Sequence, residues 1–167
     1  NGGTLSSDNV AELIEANINP YEILTCANSN PCDVVSAYTD WSSTDNLNSS
    51  SIVYEMLNGG ATAAEIMSCS TDIVDQCGLV NAFESADDDN VLDYDEILEL
   101  LNAGVSIYYI EYCGATSDCD ATGAFNEYNG GTLSSDNVAE LIEANINPYE
   151  ILTCANSNPC DVVSAYT

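Results

Sequence analysis

The chain has 167 residues, and it carries 28 Asp and Glu residues but no Lys, Arg or His. Without basic side chains it has no side-chain salt bridge, no Arg clamp for phosphate and no His to serve as a base or metal ligand. The formal net charge of −28 repels nucleic acid and anionic membranes, so we expect neither as a partner. Divalent cations are the expected partners that offset this charge.

Hydrophobic residues make up 46% of the chain and recur with helical periodicity, so we expect folded cores. Eight cysteines without a C-x-x-C pair indicate disulfides and an oxidising, extracellular compartment. No apolar run is long enough to span a bilayer, and we expect no membrane insertion. The missing signal peptide says nothing about secretion if the chain is an internal fragment.

The chain contains one stretch twice. Residues 1–39 return unchanged as residues 129–167, so the sequence repeats every 128 residues. We interpret the chain as one period plus the first 39 residues of the next, cut from a longer tandem polymer. Both copies begin inside a predicted loop, so we expect the chain ends to be cuts.

The period itself divides into three diverged repeats of about 42 residues. Repeat 1 is 1–39, repeat 2 is 40–84, repeat 3 is 85–128, and repeat 4 is 129–167, the start of the next period. Three kinds of landmark keep the register, namely the starting leucines Leu5, Leu47, Leu92 and Leu133, two cysteines per repeat, and the closing pairs Ala37-Tyr38, Ala82-Phe83, Ala124-Phe125 and Ala165-Tyr166. Such a period is typical of repeat arrays.

Each repeat is predicted to form three short helices. Apolar residues share one face of the first helix, for example Val10, Leu13 and Ile14. Gly59-Gly60 and Gly104 lie where such helices should end. The second helix begins at the capping pairs Asn19/Glu22 and Thr62/Glu65, with Pro20 at its first position, and the third runs from the second cysteine to the Ala-aromatic pair. The predicted fold class is all-α, a tandem array of disulfide-stapled three-helix units joined by polar loops.

The cysteines are predicted to pair within repeats, where each bond would join the second helix to the third. A loop this short contributes about 2 kcal/mol in the chain-entropy model. Pairing between repeats is the alternative disulfide pattern. A zinc thiolate site is disfavoured because the chain has no His, and a catalytic cysteine is disfavoured because there is no base to activate it. The predicted bonds are Cys26–Cys32, Cys69–Cys77, Cys113–Cys119 and Cys154–Cys160.

One loop between helices, residues 85–96 (SADDDNVLDYDE), is strongly acidic and resembles a calcium-binding EF-hand loop. Asp87, Asp89 and Glu96 match the third, fifth and twelfth loop positions, while Ser85 replaces the usual first Asp. Asn90 stands in place of the turn glycine, and asparagine tolerates the left-handed backbone needed there. The resemblance implies calcium as the cofactor, and the implied ligand set is Ser85, Asp87, Asp89, Val91, Asp93 and Glu96.

Two further features belong to the loops. The loop starting at Asp40 keeps oxygen donors at Asp40, Ser42 and Thr44 and is a weaker candidate metal site. Asn48 opens the sequon Asn48-Ser49-Ser50 and is a candidate glycosylation site. For the stronger loop, the alternative is that Asp93 and Glu96 form an ordinary helix capping box on a solvated acidic face.

These features predict a structural repeat segment of an extracellular fibre, appendage or matrix, with copies of itself as partners. A calcium-dependent adhesin or calcium-binding repeat module is the alternative. Tyr108, Tyr109 and Tyr112 make one helix apolar nearly all round, which favours lateral contact between strands. We expect no enzyme and no organic cofactor, because surface acids in a uniformly acidic chain are a solvated face rather than a glycosidase pair.

Overall fold

The structure is a computed structural model that describes residues 4–41, 50–71, 73–86 and 90–166. Over these residues the chain is all-α, as predicted, and one isolated backbone bridge is its only extended feature. No helix in this part of the chain has the length and apolar character needed to cross a membrane. The described residues form twelve helices, namely α1 (Ser7–Glu15), α2 (Pro20–Cys26), α3 (Pro31–Trp41), α4 (Ser50–Asn58), α5 (Ala63–Cys69), α6 (Gln76–Ala86), α7 (Tyr94–Asn102), α8 (Ile107–Cys113), α9 (Asp118–Tyr128), α10 (Ser135–Glu143), α11 (Pro148–Cys154) and α12 (Pro159–Ala165).

The chain divides into two compact bodies, Asn1–Asp88 and Asp89–Thr167. In the first body, α1 packs against α3 and α4 packs against α6. In addition, α2 packs against α4 and α3 packs against α5. The interior of this body is aliphatic, and its buried side chains include Val10, Ile14, Ile23, Val34, Val35, Val53, Met56, Ile66, Leu79 and Val80.

The second body has the same order of helix contacts. Here α7 packs against α9 and α10 against α12, while α8 packs against α10 and α9 against α11. Burying one Leu, Ile or Val side chain contributes about 1.5–3 kcal/mol, so these aliphatic stripes dominate the stability of each body. The buried side chains include Leu92, Ile97, Leu100, Leu101, Ile107, Ile110, Phe125, Val138, Leu141 and Ile151.

The helices α1, α4, α7 and α10 all end on a left-handed residue. This residue is Asn17 (φ 62°), Gly60 (φ 97°), Gly104 (φ 94°) or Asn145 (φ 71°). The amide that follows it donates back into the helix, as Ile18 N–H does to the Leu13 carbonyl at 3.0 Å. This geometry is a Schellman cap, in which the left-handed residue costs little when it is Gly or Asn. The predicted helix ends at Gly60 and Gly104 are confirmed.

The predicted caps of the second helices are also present. Asn19 accepts a hydrogen bond from the Glu22 N–H at 2.8 Å, and Pro20 is the first residue of α2. Thr62 and Glu65 form a complete capping box, in which each side chain accepts from the other residue's backbone amide. Each satisfied cap contributes on the order of 1 kcal/mol, which matters for helices of seven residues.

Two of the landmark leucines, Leu5 and Leu92, connect the start of their repeat to the loop before its third helix. The Leu5 N–H donates to the Asn28 carbonyl at 3.0 Å, and the Leu92 N–H donates to the Ala115 carbonyl at 2.9 Å. Leu92 also forms the isolated parallel bridge with Thr116. The Leu92 side chain is fully buried. The backbone hydrogen bonds of Leu5 and Leu92 therefore hold the loops before α3 and α9 against the start of the same repeat.

Candidate functional site: disulfide junctions and the acidic loop

A disulfide joins α3 to α5 in the first body. Cys32 and Cys69 are bonded, with 5.2 Å between their Cα atoms and a separation of 37 positions in sequence. The helices are also joined by side chains beside the bond, since the Ser36 hydroxyl donates to the Cys69 carbonyl at 2.8 Å. One turn further along, the Thr71 hydroxyl donates to an Asp40 carboxylate oxygen at 2.9 Å. We call this cluster the first junction.

A second disulfide joins α9 to α11 in the second body. Cys119 and Cys154 are bonded, with 5.3 Å between their Cα atoms and a separation of 35 positions in sequence. Next to the bond, the Asn147 N–H donates to an Asp118 carboxylate oxygen at 3.3 Å. We call this cluster the second junction. In the repeat numbering, both junctions connect the second cysteine of one repeat to the first cysteine of the next.

The predicted pairing within repeats is therefore wrong. Cys32 bonds to Cys69 rather than Cys26, and Cys69 is no longer available to Cys77. Cys119 bonds to Cys154 rather than Cys113, and Cys154 is no longer available to Cys160. The physical reason is helix packing, because α3 lies against α5 and α9 against α11 and so brings these cysteines together. A bond that closes 37 residues contributes about 4 kcal/mol in the chain-entropy model, more than a short loop.

The remaining four cysteines fall into two groups. Cys77 and Cys113 are each disulfide-bonded. Cys26 and Cys160 are free and exposed, so the prediction that all eight cysteines are bonded is wrong for these two. Six bonded cysteines indicate an oxidising environment, because cytosolic thiols are kept reduced.

The second junction also brings a carboxylate close to sulfur. A Glu150 carboxylate oxygen lies 3.5 Å from the Cys154 sulfur. Within the described residues, Cys119, Glu150 and Cys154 are the one group of three Cys, Asp or Glu side chains with ligand atoms within 4.8 Å of one another. The two sulfurs are bonded to each other, however, and thiolates are the form of cysteine that binds metal. The oxidised junction is not a thiolate metal site.

Part of the acidic loop lies in the second body, where Asp93 and Glu96 start α7. The Glu96 N–H donates to an Asp93 carboxylate oxygen at 3.0 Å, and the Asp93 N–H donates to a Glu96 carboxylate oxygen at 2.9 Å. This is the capping box that the sequence offered as the alternative to metal ligation. Asn90 has φ 56°, the left-handed turn expected where it stands in place of glycine. Val91 is exposed.

The other candidate ligands are distributed as follows. Ser85 lies in α6, where its hydroxyl donates to the Asn81 carbonyl at 2.7 Å. Asp40 lies in α3 and accepts from Thr71 in the first junction. Four of the predicted site residues fall outside the described residues, namely the candidate ligands Asp87, Asp89, Ser42 and Thr44. The candidate glycosylation residue Asn48 also lies outside them.

Tyr38 and Glu111 have raised pKa values because of burial. Burial raises the pKa of Tyr38, and the carboxylates of Glu55 and Glu22 add to the effect. Burial also raises the pKa of Glu111; the hydrogen bond from the Thr116 hydroxyl at 2.6 Å opposes this, and the Asp118 carboxylate adds to it. In both cases the surroundings favour the protonated form, as expected in a chain without cations.

The three tyrosines of α8 are exposed. Tyr108 and Tyr112 stack with 5.7 Å between ring centroids, and Tyr108 meets Tyr109 edge to face at 5.5 Å. The inward face of α8 is formed by Ile107 and Ile110, which are buried. The helix is therefore apolar on two faces, only one of which is covered.

Sequence reasoning missed the polar side chains of the first junction, Ser36, Thr39 and Thr71. Thr39 is buried, donates to the Val35 carbonyl at 2.8 Å and lies 3.4 Å from the Ser70 hydroxyl. The available signal in the sequence was a threonine one helical turn after Val35, a spacing at which its hydroxyl reaches a main-chain carbonyl of the same helix.

Comparisons with family models, curated proteins and solved structures yield no match.

Proposed function

We propose that the chain is a structural repeat segment of an extracellular fibre, appendage or matrix. Its working unit is a three-helix repeat of about 42 residues that packs on its neighbours in a tandem array. Disulfides and calcium stiffen the array, and the partners are further copies of the same repeats. The oxidising environment indicated by the disulfides supports an extracellular location.

The observation that carries this proposal is the direction of the two disulfide junctions. Cys32–Cys69 and Cys119–Cys154 both run from the third helix of one repeat to the second helix of the next. A bond inside a repeat would strengthen a separate bead, whereas a bond between repeats resists their separation and bending. Hydrogen bonds from Ser36 and Asn147 lie beside these bonds and restrict the same movement.

The size of a repeat supports the same conclusion. A unit of about 42 residues is at the lower limit for a core that is stable alone. Its apolar residues are buried partly by the neighbouring repeat, as when α2 packs against α4 and α8 against α10. Stability then depends on stacking, which is the property of a continuous array rather than of separate domains.

Calcium enters the proposal through the acidic loop at 85–96 and the charge of the chain. Oxygen ligands at alternating positions with a closing carboxylate suit a cation of high coordination number. The left-handed Asn90 supports the turn that such a loop needs. Because the chain has no basic residue, a bound cation also offsets repulsion among its carboxylates.

Small-angle X-ray scattering of chains with added periods tests the proposal. The 167-residue chain is compared with chains extended by one and by two further 128-residue periods. A stiff array predicts that the radius of gyration grows nearly in proportion to the number of periods, with a constant cross-section. The Cys32→Ser and Cys69→Ser double variant serves as control and should bend more at that junction.

A flexible chain of beads gives the opposite result. Its radius of gyration grows roughly as the square root of the number of periods, as for a flexible linker. That scaling in the oxidised protein would overturn the structural proposal. Electron micrographs of the same samples provide the second readout, with uniform filaments expected rather than flexible strings.

A further inference from the structure

The second junction places a carboxylate beside its two sulfurs. A Glu150 carboxylate oxygen lies 3.5 Å from the Cys154 sulfur. The ligand atoms of Cys119, Glu150 and Cys154 all lie within 4.8 Å of one another. Cys119 belongs to α9, whereas Glu150 and Cys154 belong to α11. Side chains from two neighbouring repeats therefore converge on one small volume, and we call these three residues the Cys-Glu cluster.

Helix capping explains why the first junction has no such cluster. Glu65 holds the same place in α5 as Glu150 does in α11, four residues before the cysteine. The Glu65 carboxylate accepts from the Thr62 N–H at 2.9 Å and from the Thr62 hydroxyl at 3.0 Å, so it is held at the start of its helix. In α11 the cap is Asn147, whose side chain accepts from the Tyr149 N–H at 2.9 Å. The Glu150 carboxylate is not part of that cap and lies against the cysteine one turn further along.

The half-buried Glu150 carboxylate has no counter-charge. The sulfur of a disulfide carries no proton, so its contact with Cys154 is not a hydrogen bond in the oxidised protein. No N–H or O–H group among the described residues donates to this carboxylate, and the chain has no Lys, Arg or His to pair with it. A cation bound at the cluster would supply the missing positive charge.

The spacing of the cluster fits a zinc ion. When a Zn–S bond is about 2.3 Å and a Zn–O bond about 2.1 Å, the sulfur and oxygen ligands of a tetrahedral site lie roughly 3.6 Å apart. The Glu150 oxygen and the Cys154 sulfur are 3.5 Å apart. The Cα atoms of Cys119 and Cys154 are 5.3 Å apart, which keeps both sulfurs within reach of one ion when their bond is open. Calcium does not suit this cluster, because it is bound by oxygen ligands.

We propose that the reduced second junction binds one zinc ion through the thiolates of Cys119 and Cys154 and the carboxylate of Glu150, with a water molecule as the fourth ligand. Zinc then connects α9 to α11 in place of the disulfide. This proposal goes beyond the fibre function, since it concerns the junction in its reduced form and applies to any protein built from these repeats.

The exchange of disulfide for zinc balances in two steps. A dithiol reductant attacks the Cys119–Cys154 bond, passes through a mixed disulfide and becomes a disulfide itself, so that the junction gains two electrons and two protons. The two thiols then release these protons as zinc binds their thiolates. Oxidation by a disulfide oxidant removes two electrons from the thiolates, re-forms the bond and releases the zinc.

Alkylation of the reduced full chain tests the site. A phosphine opens the disulfides without adding a thiol that competes for zinc, and iodoacetamide then modifies the cysteines through their thiolates. Zinc should slow the modification of Cys119 and Cys154 by about tenfold or more, because a metal-bound thiolate is shielded from the reagent. Cys32 and Cys69 are the internal control and should react at an unchanged rate.

Two details of the alkylation experiment make it specific. Chymotryptic peptide mapping gives the rate at each cysteine, since the chain has no Lys or Arg for trypsin to cleave. Magnesium at the same concentration controls for screening of the acidic chain and should protect no cysteine. Circular dichroism with and without zinc reports the helical content of the reduced chain.

A matched pair of variants tests the carboxylate. Glu150→Gln removes the oxygen ligand and should weaken zinc binding by the reduced chain about tenfold or more, as measured by competition with a chromophoric chelator. Glu65→Gln is the control, because it makes the same substitution at the first junction and glutamine also completes a capping box. The control should bind zinc like the parent.

Equal protection of all cysteines would overturn the proposal, because zinc then binds any reduced thiol of the chain. Protection of none would overturn it as well, including the case in which the reduced chain loses its helices and zinc does not restore them. Equal affinities of Glu150→Gln and the parent would refute the three-residue site. These outcomes are independent of the scattering experiment on the oxidised chain, which tests the proposed function.

Discussion

At the scale of single residues, Thr122 is a buried polar side chain in the third helix of repeat 3. Its side chain is fully buried in α9, and its hydroxyl has no hydrogen-bond partner among the residues that the structure describes. The other repeats have valine at this position, as Val35, Val80 and Val163. Leaving a buried hydroxyl unpaired costs about 1–3 kcal/mol, because the group loses its water without gaining a partner. Repeat 3 therefore has an unpaired buried hydroxyl at a position where the other repeats have valine.

We predict that Thr122→Val stabilises the second body by about 1 kcal/mol. Valine has nearly the same shape as threonine but no group that needs a hydrogen bond, so the core keeps its packing. Urea denaturation followed by circular dichroism measures the change in the free energy of unfolding. A loss of stability would show that the Thr122 hydroxyl has a partner in solution.

The same substitution in reverse provides matched controls. Val35→Thr inserts a hydroxyl at a position that is 0% exposed and should destabilise the first body by a similar amount. Val163→Thr places the same group at a position that is 66% exposed and should leave stability nearly unchanged. Comparing the changes in stability of the three variants shows whether the cost of the hydroxyl depends on its burial or only on the exchange of Val and Thr.

At the scale of helices, Tyr94 links α7 to α9. Its hydroxyl donates a hydrogen bond to the Glu127 carboxylate. Its ring lies against Gly123, where an added Cβ would lie 3.1 Å from the Tyr94 Cε2 atom. A glycine inside a helix costs about 1 kcal/mol relative to alanine, and here the missing side chain makes room for the ring.

This link predicts a loss of stability at high pH. The hydrogen bond to Glu127 raises the pKa of Tyr94 from 10.0 to about 12, with burial and the charges of Glu127 and Asp95 adding to the effect. Since the folded-state pKa exceeds the unfolded-state value, the contribution is complete below about pH 10 and disappears as the pH rises towards about 12. Denaturant titrations should therefore show a steeper decline for the parent than for Tyr94→Phe over this range.

Glu127→Gln is the control for the cause of the shift. The amide retains a hydrogen-bond acceptor but removes the negative charge, so the pKa of Tyr94 should move back towards 10.0. The difference in tyrosinate absorbance between the parent and Tyr94→Phe isolates this one residue among ten tyrosines. A difference titration already centred at 10.0 in the parent would contradict the assigned link.

The sequence predicted the helices better than the junctions, and the reason is the range of the interactions. Helix ends such as Gly60 and Gly104, and caps such as Thr62 with Glu65, depend on residues within one or two turns. The disulfide partner of Cys32 depends instead on the packing of α3 against α5, between residues separated by 37 positions. Spacing along the chain carries no information about that choice.

The candidate calcium loop illustrates the same limit at a site. Asp93 and Glu96 are an acidic pair three residues apart, a spacing that fits both a capping box and the end of an EF-hand loop. At the start of α7 the backbone N–H groups of Glu96 and Asp93 donate to the carboxylates of this pair, which therefore caps the helix. Because the capping box and the EF-hand loop end share this spacing, cation binding is the measurement that distinguishes them.

For the whole molecule, a formal charge of −28 without any basic residue dominates the electrostatics. Repulsion between carboxylates destabilises the compact state and is screened by salt, since the Debye length falls from about 30 Å at 0.01 M to about 3 Å at 1 M. Any cation therefore stabilises the fold to some extent. Specific calcium binding adds a stabilising free energy that depends on the identity of the ion and not only on ionic strength.

We predict that calcium raises the melting temperature more than magnesium does at equal ionic strength. A site that binds only the folded chain contributes about 2.7 kcal/mol when calcium is a hundred times above its dissociation constant. Asp87→Asn with Asp89→Asn should abolish the difference between the two ions. The control, Glu12→Gln with Glu140→Gln, removes the same charge from two exposed positions of the identical copies. It should retain the difference in melting temperature between calcium and magnesium. Equal melting temperatures in calcium and magnesium for the parent chain would mean that screening alone acts and that the loop at 85–96 is a helix cap rather than a calcium site.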